Sequence, residues 1–146
     1  MLNHEQLLRE AVRLAKTNLD EGGRPFGAVL AMKGEIIATG VNDVNRSHDP
    51  TTHAEMEAVR TASRRLNRPD LRGSVMYASG HPCPMCLAAL VIAGVDGVYY
   101  AFDNDEAGPY GFSSKTTYET LRLPLVPPPL PLTRIDIGLP AAELYA

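Results

Sequence analysis

The chain has 146 residues with 45% hydrophobic and 21% charged content and a formal net charge of −3, which excludes a disordered chain and disfavours nucleic acid as a partner. This length predicts a single domain over residues 1–146. The sequence lacks an apolar run of 18 residues and a basic, apolar leader, so we expect a cytoplasmic protein that engages no membrane.

The first half of the chain predicts a helix, a hairpin and a second helix. Apolar residues recur at helical spacing near the start, and Gly22-Gly23 ends that segment. Lys33-Gly34 separates two apolar runs of strand length, which indicates a tight turn. The predicted elements are a helix over 4–20, strands over 25–32 and 35–42, a polar loop over 43–50 and a helix over 52–66.

The second half alternates strand, helix and strand before a loop and a proline-rich segment. This alternation predicts a right-handed crossover and parallel pairing within a mixed sheet that is covered by helices. The five prolines of 123–132 favour an extended connector over a ligand for a proline-binding domain. The predicted elements are strands over 74–79, 97–102 and 132–138, helices over 84–93 and 140–146, and a loop over 103–114.

The two cysteines of the chain stand three positions apart, on either side of Pro84. Proline suits the first turn of a helix, so Cys83 and Cys86 should lie one turn apart where a helix begins. The partial positive charge of a helix N-terminus favours thiolates. The pair alone is compatible with a zinc site or with a thioredoxin-like redox pair.

A catalytic zinc takes three protein ligands and leaves one position to water, whereas a structural zinc normally takes four. Among the four histidines, His53 is distinctive because Glu55 follows it where a helix is predicted to begin. Residues 52–55 also fit a capping box, in which Thr52 caps the helix and Glu55 reaches back. The conjunction of His-x-Glu with Pro-Cys-x-x-Cys, the signature of zinc deaminases, favours His53, Cys83 and Cys86 as ligands and Glu55 as the proton carrier.

The sequence resembles the cytidine deaminase superfamily, in particular its guanine deaminases, cytosine deaminases and tRNA adenosine deaminases. The likeness spans about residues 24–108, through RPFGAVLA, the THAE segment, HPCPMC and GVYYAF. It implies an α/β fold, a three-layer α/β/α sandwich around a mixed five-stranded sheet, assembled as a homodimer. It also implies Zn²⁺ as cofactor and hydrolytic deamination of a free nucleobase or related amino-substituted heterocycle, with release of ammonia.

The same resemblance implies several substrate contacts. Asn42 would hydrogen-bond the substrate, and the backbone N–H of Ala54 would hold a ring carbonyl or nitrogen. Phe26 would be a pocket wall, although a buried strand residue is the plainer interpretation. His81 could donate to the substrate, join the metal shell or cap the strand end. The further candidates on the long loop are Asp103, Asp105, Tyr110 and Phe112.

Three departures from the family pattern predict a rebuilt pocket. His81 replaces the glutamate of the family's EPC, Ile92 stands in place of a bulky aromatic, and Ser113 and Ser114 stand where an acidic residue often follows Gly-Phe. We therefore expect a smaller or differently substituted ring, such as a pyrimidine or a triazine. Tyr145 could close the pocket, but a surface tail residue is the favoured interpretation. The alternatives are a tRNA-specific adenosine deaminase and, outside enzymes, a zinc-stabilised or redox binding module.

Overall fold

The computed structural model describes residues 1–123 and 127–146. The helices are α1 (His4–Asp20), α2 (Val44–Ser47), α3 (Ala54–Leu66), α4 (Pro84–Ala93), α5 (Asn104–Ala107), α6 (Lys115–Thr120) and α7 (Ala142–Tyr145). The strands are β1 (Gly27–Met32), β2 (Glu35–Val41), β3 (Ser74–Gly80), β4 (Gly97–Phe102) and β5 (Leu132–Arg134). None of the helices in these two ranges is both long and apolar enough to cross a membrane.

All five strands belong to one mixed sheet in the order β2-β1-β3-β4-β5. Strand β1 pairs antiparallel with β2 and β3, whereas β3, β4 and β5 run parallel. Helix α4 connects β3 to β4, as a parallel crossover requires. The structure therefore confirms the predicted fold class and the parallel pairing of residues 74–79 with 97–102.

Helices cover both faces of the sheet, and β1 and β3 are therefore buried on both sides. Alternate residues of β1 enter different cores: Val29 packs with residues of α1 and α7, and Leu30 packs with residues of α3 and α4. These two clusters form the cores between the three layers. The large side chains that are fully buried in them include Leu7, Leu8, Leu30, Met76, Leu90 and Phe102.

Two glycines allow the largest helices to lie directly on the sheet. A Cβ atom at Gly27 would lie 2.3 Å from the carbonyl oxygen of Ala11 in α1. At Gly40 it would lie 2.2 Å from the carbonyl oxygen of Ala54, the first residue of α3. Neither contact leaves room for a side chain. Gly40 therefore fixes how closely the N-terminal end of α3 approaches β2.

The sequence prediction missed the short helices inside predicted loops and misjudged the last strand. The polar loop at 43–50 contains α2, and the loop at 103–114 contains α5. These helices have four residues each, so apolar periodicity cannot reveal them. Strand β5 has three residues, since only Leu132–Arg134 pairs with β4. The predicted proline-rich connector includes residues 124–126, which lie outside the described residues.

Candidate active site

The N-terminal ends of α3 and α4 bring a histidine and two cysteines together. His53 is the N-cap residue of α3, and Cys83 is the N-cap residue of α4, three residues after β3 ends at Gly80. The Nδ1 atom of His53 lies 3.4 Å from Cys83 Sγ and 3.6 Å from Cys86 Sγ. All three potential ligand atoms lie within 4.8 Å of one another. The predicted ligand set thus meets at one point.

The donor set suits a zinc ion that keeps an open position. Cys83 Sγ accepts a hydrogen bond from the Cys86 backbone N–H. The hydrogen bond from the Cys86 thiol, assisted by His53, lowers the pKa of Cys83 to about 4, which favours the thiolate that metals require. Among the described residues the cluster contains three ligands, and a structural zinc normally has four. The residues therefore fit a catalytic zinc site.

Glu55 lies beside this cluster on the first turn of α3. Its side chain is almost fully buried, with 7% of the residue exposed, and it lines the same cavity as His53 and Cys83. Burial raises the pKa of Glu55 to about 7, and the negative charge on Cys83 adds to this effect. A carboxyl group in this environment can both accept and release a proton near neutral pH.

The capping-box interpretation of residues 52–55 is wrong. The N-cap of α3 is His53, without a side-chain hydrogen bond to the helix. The Thr52 hydroxyl instead donates to the carbonyl oxygen of Asp49 at 2.7 Å, which holds it in the preceding turn. Glu55 is therefore left to face the cavity.

The cavity around these groups has a volume of about 200 Å³. It receives side chains from the start of β1, the end of β2, the N-termini of α3 and α4 and the segment between α5 and α6. The lining residues are Arg24, Phe26, Asn42, His53, Glu55, Gly80, His81, Cys83, Gly111, Phe112, Ser113, Ser114 and Thr117. The structure thus brings Phe26, Asn42, His81 and Phe112 to the cavity, while their contact with a substrate stays a prediction.

Asn42 and Ala54 are both buried next to the metal ligands. The Oδ1 atom of Asn42 accepts a hydrogen bond from the Val44 N–H at 3.0 Å, which fixes the orientation of the side chain in the cavity wall. Ala54 is fully buried as the first residue of α3. Its N–H group is one of the four at a helix start that have no partner within the helix.

His81 stands in the wall of the cavity as a neutral ring. Its Nδ1 atom donates to the Pro82 carbonyl oxygen at 2.9 Å, and its ring packs edge-on against Tyr100 and Tyr118. Burial lowers the pKa of His81. Its ring nitrogens do not belong to the metal-binding cluster, so the interpretation of His81 as a metal ligand is wrong.

Asp103 lies outside the catalytic cavity. Its Oδ1 atom caps α5 by accepting a hydrogen bond from the Glu106 N–H at 2.8 Å. The side chain lines a neighbouring cavity together with His81, which borders both cavities. The helix-capping role explains why Asp103 does not face the metal cluster.

The sequence-based placement of two further residues is wrong. Ile92 is 86% exposed near the end of α4 and does not line the cavity. A helix rises about 1.5 Å per residue, so nine residues carry it well away from Cys83. Tyr145 is buried instead of lying on the surface, and its ring packs against Phe26 and Phe112. Its hydroxyl has no hydrogen-bond partner among the described residues.

Sequence reasoning did not identify Arg24 and Thr117 as residues of the cavity. Arg24 is the first residue of the RPFGAVLA motif, but no local pattern shows where its side chain points. Thr117 belongs to α6, a helix of six residues that periodicity does not reveal.

The fold and the His-Cys-Cys cluster define a member of the zinc-dependent deaminases. The family model described as "Cytidine and deoxycytidylate deaminase zinc-binding region" matches residues 1–102, and the chain belongs to this family. It is therefore a hydrolase that removes an amino group from its substrate, with zinc as cofactor.

Particular relatives include both base and tRNA deaminases. The chain is 39% identical over 137 residues to the guanine deaminase of Bacillus subtilis, covering 93% of this chain and 88% of that protein. The crystal structure of that enzyme matches with a TM-score of 0.80 over 92% of this chain and 87% of its own. A tRNA-specific adenosine deaminase of Aquifex aeolicus is 40% identical over 108 residues, covering 73% of this chain and 72% of that protein.

Proposed function

We propose that this deaminase acts on a free nucleobase or a related amino-substituted heterocycle, with guanine-type bases as the first candidates. The observation that carries the proposal is the cavity of about 200 Å³, in which the metal ligands and Glu55 meet. Pockets for drug-sized ligands usually measure about 300–1,000 Å³, so this cavity suits a ligand no larger than a ring system. Similarity to a guanine deaminase over 93% of the chain supports the same substrate class.

In the proposed mechanism, His53, Cys83 and Cys86 would hold the zinc ion. When bound, zinc supplies Lewis acidity that makes water acidic enough to react at neutral pH. Glu55 accepts a proton from the attacking water and delivers it to the amino nitrogen as the carbon–nitrogen bond breaks. The water oxygen forms a bond to the carbon that carries the amino group, and its second proton moves to the adjacent ring nitrogen, so that the products are an oxo group and ammonia.

The substrate would be held by the walls of the same cavity. Phe26 and Phe112 contact each other edge to face, with ring centroids 5.7 Å apart, and they would pack against the ring of the substrate. Asn42 and the backbone N–H of Ala54 would hydrogen-bond its polar edge. His81 would approach an exocyclic group, and Asp103 would act on the site only through the electrostatic field at His81.

We also propose that the chain forms a single cytoplasmic domain that assembles as a homodimer. Thiolate ligands bind metal only while they remain reduced, and this favours a reducing compartment. Helix α4 presents an apolar surface: Val91 is 48% and Ile92 is 86% exposed. A second copy of the chain that covers this surface would remove these side chains from water.

A tRNA-specific adenosine deaminase is the second candidate, because the Aquifex aeolicus relative is 40% identical to 73% of this chain. The formal net charge of −3 weighs against it, since nucleic-acid binding depends on clustered positive charge. Filter binding of tRNA across a range of salt concentrations would test it. Tight binding that weakens steeply with salt would favour the tRNA enzyme.

The decisive experiment is an ammonia-release screen with zinc-loaded protein. Purines, pyrimidines, triazines and pterins are the substrates, and the Glu55→Gln variant is the negative control. We expect release from at least one free base and none from that variant. Failure to release ammonia from any base, combined with deamination of an adenosine in tRNA, would refute the proposed substrate class.

A further inference from the structure

A positive charge that the deamination chemistry does not use lies at the solvent-facing edge of the catalytic cavity, since Arg24 is an exposed residue. Arg24 lines the cavity with Asn42 and Glu55. Its Nε atom donates to Asn45 Oδ1 at 3.2 Å. None of the ion pairs between described residues includes Arg24. The guanidinium group therefore keeps hydrogen-bond donors available at the cavity.

A hydrogen bond from Asn18 holds the backbone of Arg24 in place. Asn18 is buried, and its Nδ2 atom donates to the carbonyl oxygens of Arg24 and Asn42, at 2.8 Å in each case. A Cβ atom at Gly23 would lie 2.5 Å from Asn18 Nδ2, so the loop can pack this tightly only with glycine there. One amide thus ties Arg24 to a residue of the cavity wall. This anchoring distinguishes Arg24 from an arginine on a freely moving surface loop.

Apart from the metal ligand Cys83, whose thiolate would be taken up by the zinc ion, the catalytic carboxyl group is the one negative group that the described lining offers to Arg24. Glu55 is the only aspartate or glutamate among the described lining residues. The Nδ1 atom of His81 already donates to the Pro82 carbonyl oxygen, and the remaining polar side chains near the segment after α5 are the hydroxyls of Ser113, Ser114 and Thr117. A cavity with this composition accommodates hydrogen-bond acceptors and negative charge better than a second amino group.

We propose that Arg24 is a specificity-determining residue that selects amino heterocycles with an anionic edge over neutral ones. This inference rests on the proposed function and narrows its substrate class. The anionic edge is either a ring that loses a proton near neutral pH or a carboxylate substituent. Arg24 pairs with this edge while the carbon that bears the amino group faces Glu55. The ion pair forms in both the bound substrate and the transition state, so Arg24 strengthens binding and leaves the chemical step unchanged.

A binding experiment with two nearly isosteric bases tests the proposal. Guanine is the neutral probe, and 8-azaguanine, whose additional ring nitrogen makes its ring N–H more acidic, is the anionic one. Dissociation constants are measured with zinc-loaded Glu55→Gln protein, which binds without turnover, and with the same protein carrying Arg24→Gln or Arg24→Lys. Arg13→Gln is the matched control, since it removes one positive charge from the exposed face of α1.

We expect Arg24→Gln to weaken the binding of 8-azaguanine about tenfold and the binding of guanine less than about twofold. Arg24→Lys should weaken the binding of 8-azaguanine less than Arg24→Gln does. Affinity for 8-azaguanine should rise with pH as the ring ionises when Arg24 is present, but not in the Arg24→Gln variant. Arg13→Gln should leave the dissociation constants of both probes unchanged. Dissociation constants are also measured for a carboxylated aminopyrimidine and its unsubstituted parent. They show whether Arg24 strengthens the binding of a carboxylate more than the binding of an ionised ring.

Equal losses for both probes, binding of 8-azaguanine that does not depend on pH, or no binding of 8-azaguanine would overturn the role of Arg24. Steady-state kinetics adds a separate check in the Glu55 enzyme, where Arg24→Gln should raise KM for the anionic substrate and leave kcat unchanged. If no base is deaminated at all, the proposed function fails, while the binding comparison still decides the role of Arg24. If bases are deaminated but Arg24→Gln weakens the binding of guanine and 8-azaguanine equally, only this inference fails.

Discussion

Glu55 is the residue on which the proposed chemistry depends most directly. Glu55→Gln keeps the size of the side chain and removes its ability to carry a proton. We expect the variant to bind one zinc ion per chain, because His53, Cys83 and Cys86 are unchanged, and to lose about 10²–10⁴-fold in kcat. Metal analysis combined with ammonia release measures both properties.

Glu57 provides the matched control for that variant. It lies two residues further along α3, where it pairs with Arg60, and it does not line the cavity. Glu57→Gln should therefore retain activity. Undiminished turnover in Glu55→Gln, with activity retained in Glu57→Gln, would exclude Glu55 from proton transfer.

Tyr145 gives a residue-scale prediction about stability. Its buried hydroxyl has no partner among the described residues, and burial raises the pKa of this hydroxyl. An unsatisfied buried hydroxyl costs free energy, so Tyr145→Phe should raise the free energy of unfolding by about 1 kcal/mol. Chemical denaturation of the metal-free protein measures the change.

Tyr118→Phe is the opposite case, because the Tyr118 hydroxyl donates a hydrogen bond to the Pro82 carbonyl oxygen. That variant should lower the free energy of unfolding by about 1 kcal/mol. Destabilisation of both variants by the same amount would mean that Tyr145 has a partner in solution.

The sequence predicted the residues whose geometry is local and missed those that depend on distant segments. Cys83, Pro84 and Cys86 lie on one helix start, so their spacing alone places both sulfurs together. Tyr145 joins Phe26 only because the end of the chain returns to the start of β1, and no pattern around Tyr145 encodes that contact. Zinc ligands could therefore be predicted from motifs, whereas the outer wall of the cavity could not.

At the scale of elements, the contact between α3 and β2 positions the catalytic helix. Gly40→Val would place side-chain atoms against the Ala54 carbonyl oxygen, which lies 2.2 Å from an ideal Cβ position. Relief of this clash requires α3 to move away from the sheet, and His53 and Glu55 would move with it. We expect a loss of several kcal/mol in stability and weaker zinc binding.

Gly108 is the matched control for Gly40. A Cβ atom there has no heavy atom within 4 Å apart from those of its neighbours in the chain. Its φ of −53° and ψ of −49° are helical, a conformation that Pro109 disfavours for a residue with a Cβ atom. Gly108→Ala should therefore change stability by about 1 kcal/mol at most, far less than Gly40→Val, and leave zinc binding unchanged. Thermal denaturation and zinc titration of both variants test the contact. Normal zinc affinity in Gly40→Val would show that the site tolerates displacement of α3.

Element prediction succeeded where periodicity extends over at least two helical turns or a whole strand. Helices α1, α3 and α4 have 17, 13 and 10 residues, and their sequence limits were predicted within two residues at each end. Helices α5 and α6 have four and six residues, and their position depends on capping by Asp103 and on packing of Tyr118. The cap at Asp103 is local and the packing of Tyr118 is a tertiary contact, and apolar periodicity reports neither.

At the scale of the whole molecule, the exposed end of α4 should be the dimer contact that we propose. The aliphatic side chains of Val91 and Ile92 are 48% and 86% exposed in the single chain. The adjacent groove is lined by the apolar residues Leu87, Ala88 and Leu123. Burial of this surface against a second copy gains about 25 cal/mol for each Å² of apolar area.

Ile92→Glu places a charge in that contact and should convert the dimer to a monomer, as measured by sedimentation velocity. Leu2→Glu is the control, because Leu2 is also an exposed apolar residue, at 41%, but lies before α1. The control should remain dimeric. Because Ile92 lies outside the catalytic cavity, monomeric Ile92→Glu protein should still bind zinc. Sedimentation of the wild-type protein as a monomer would refute the proposed dimer. An Ile92→Glu variant that stays dimeric would mean that the dimer contact lies elsewhere.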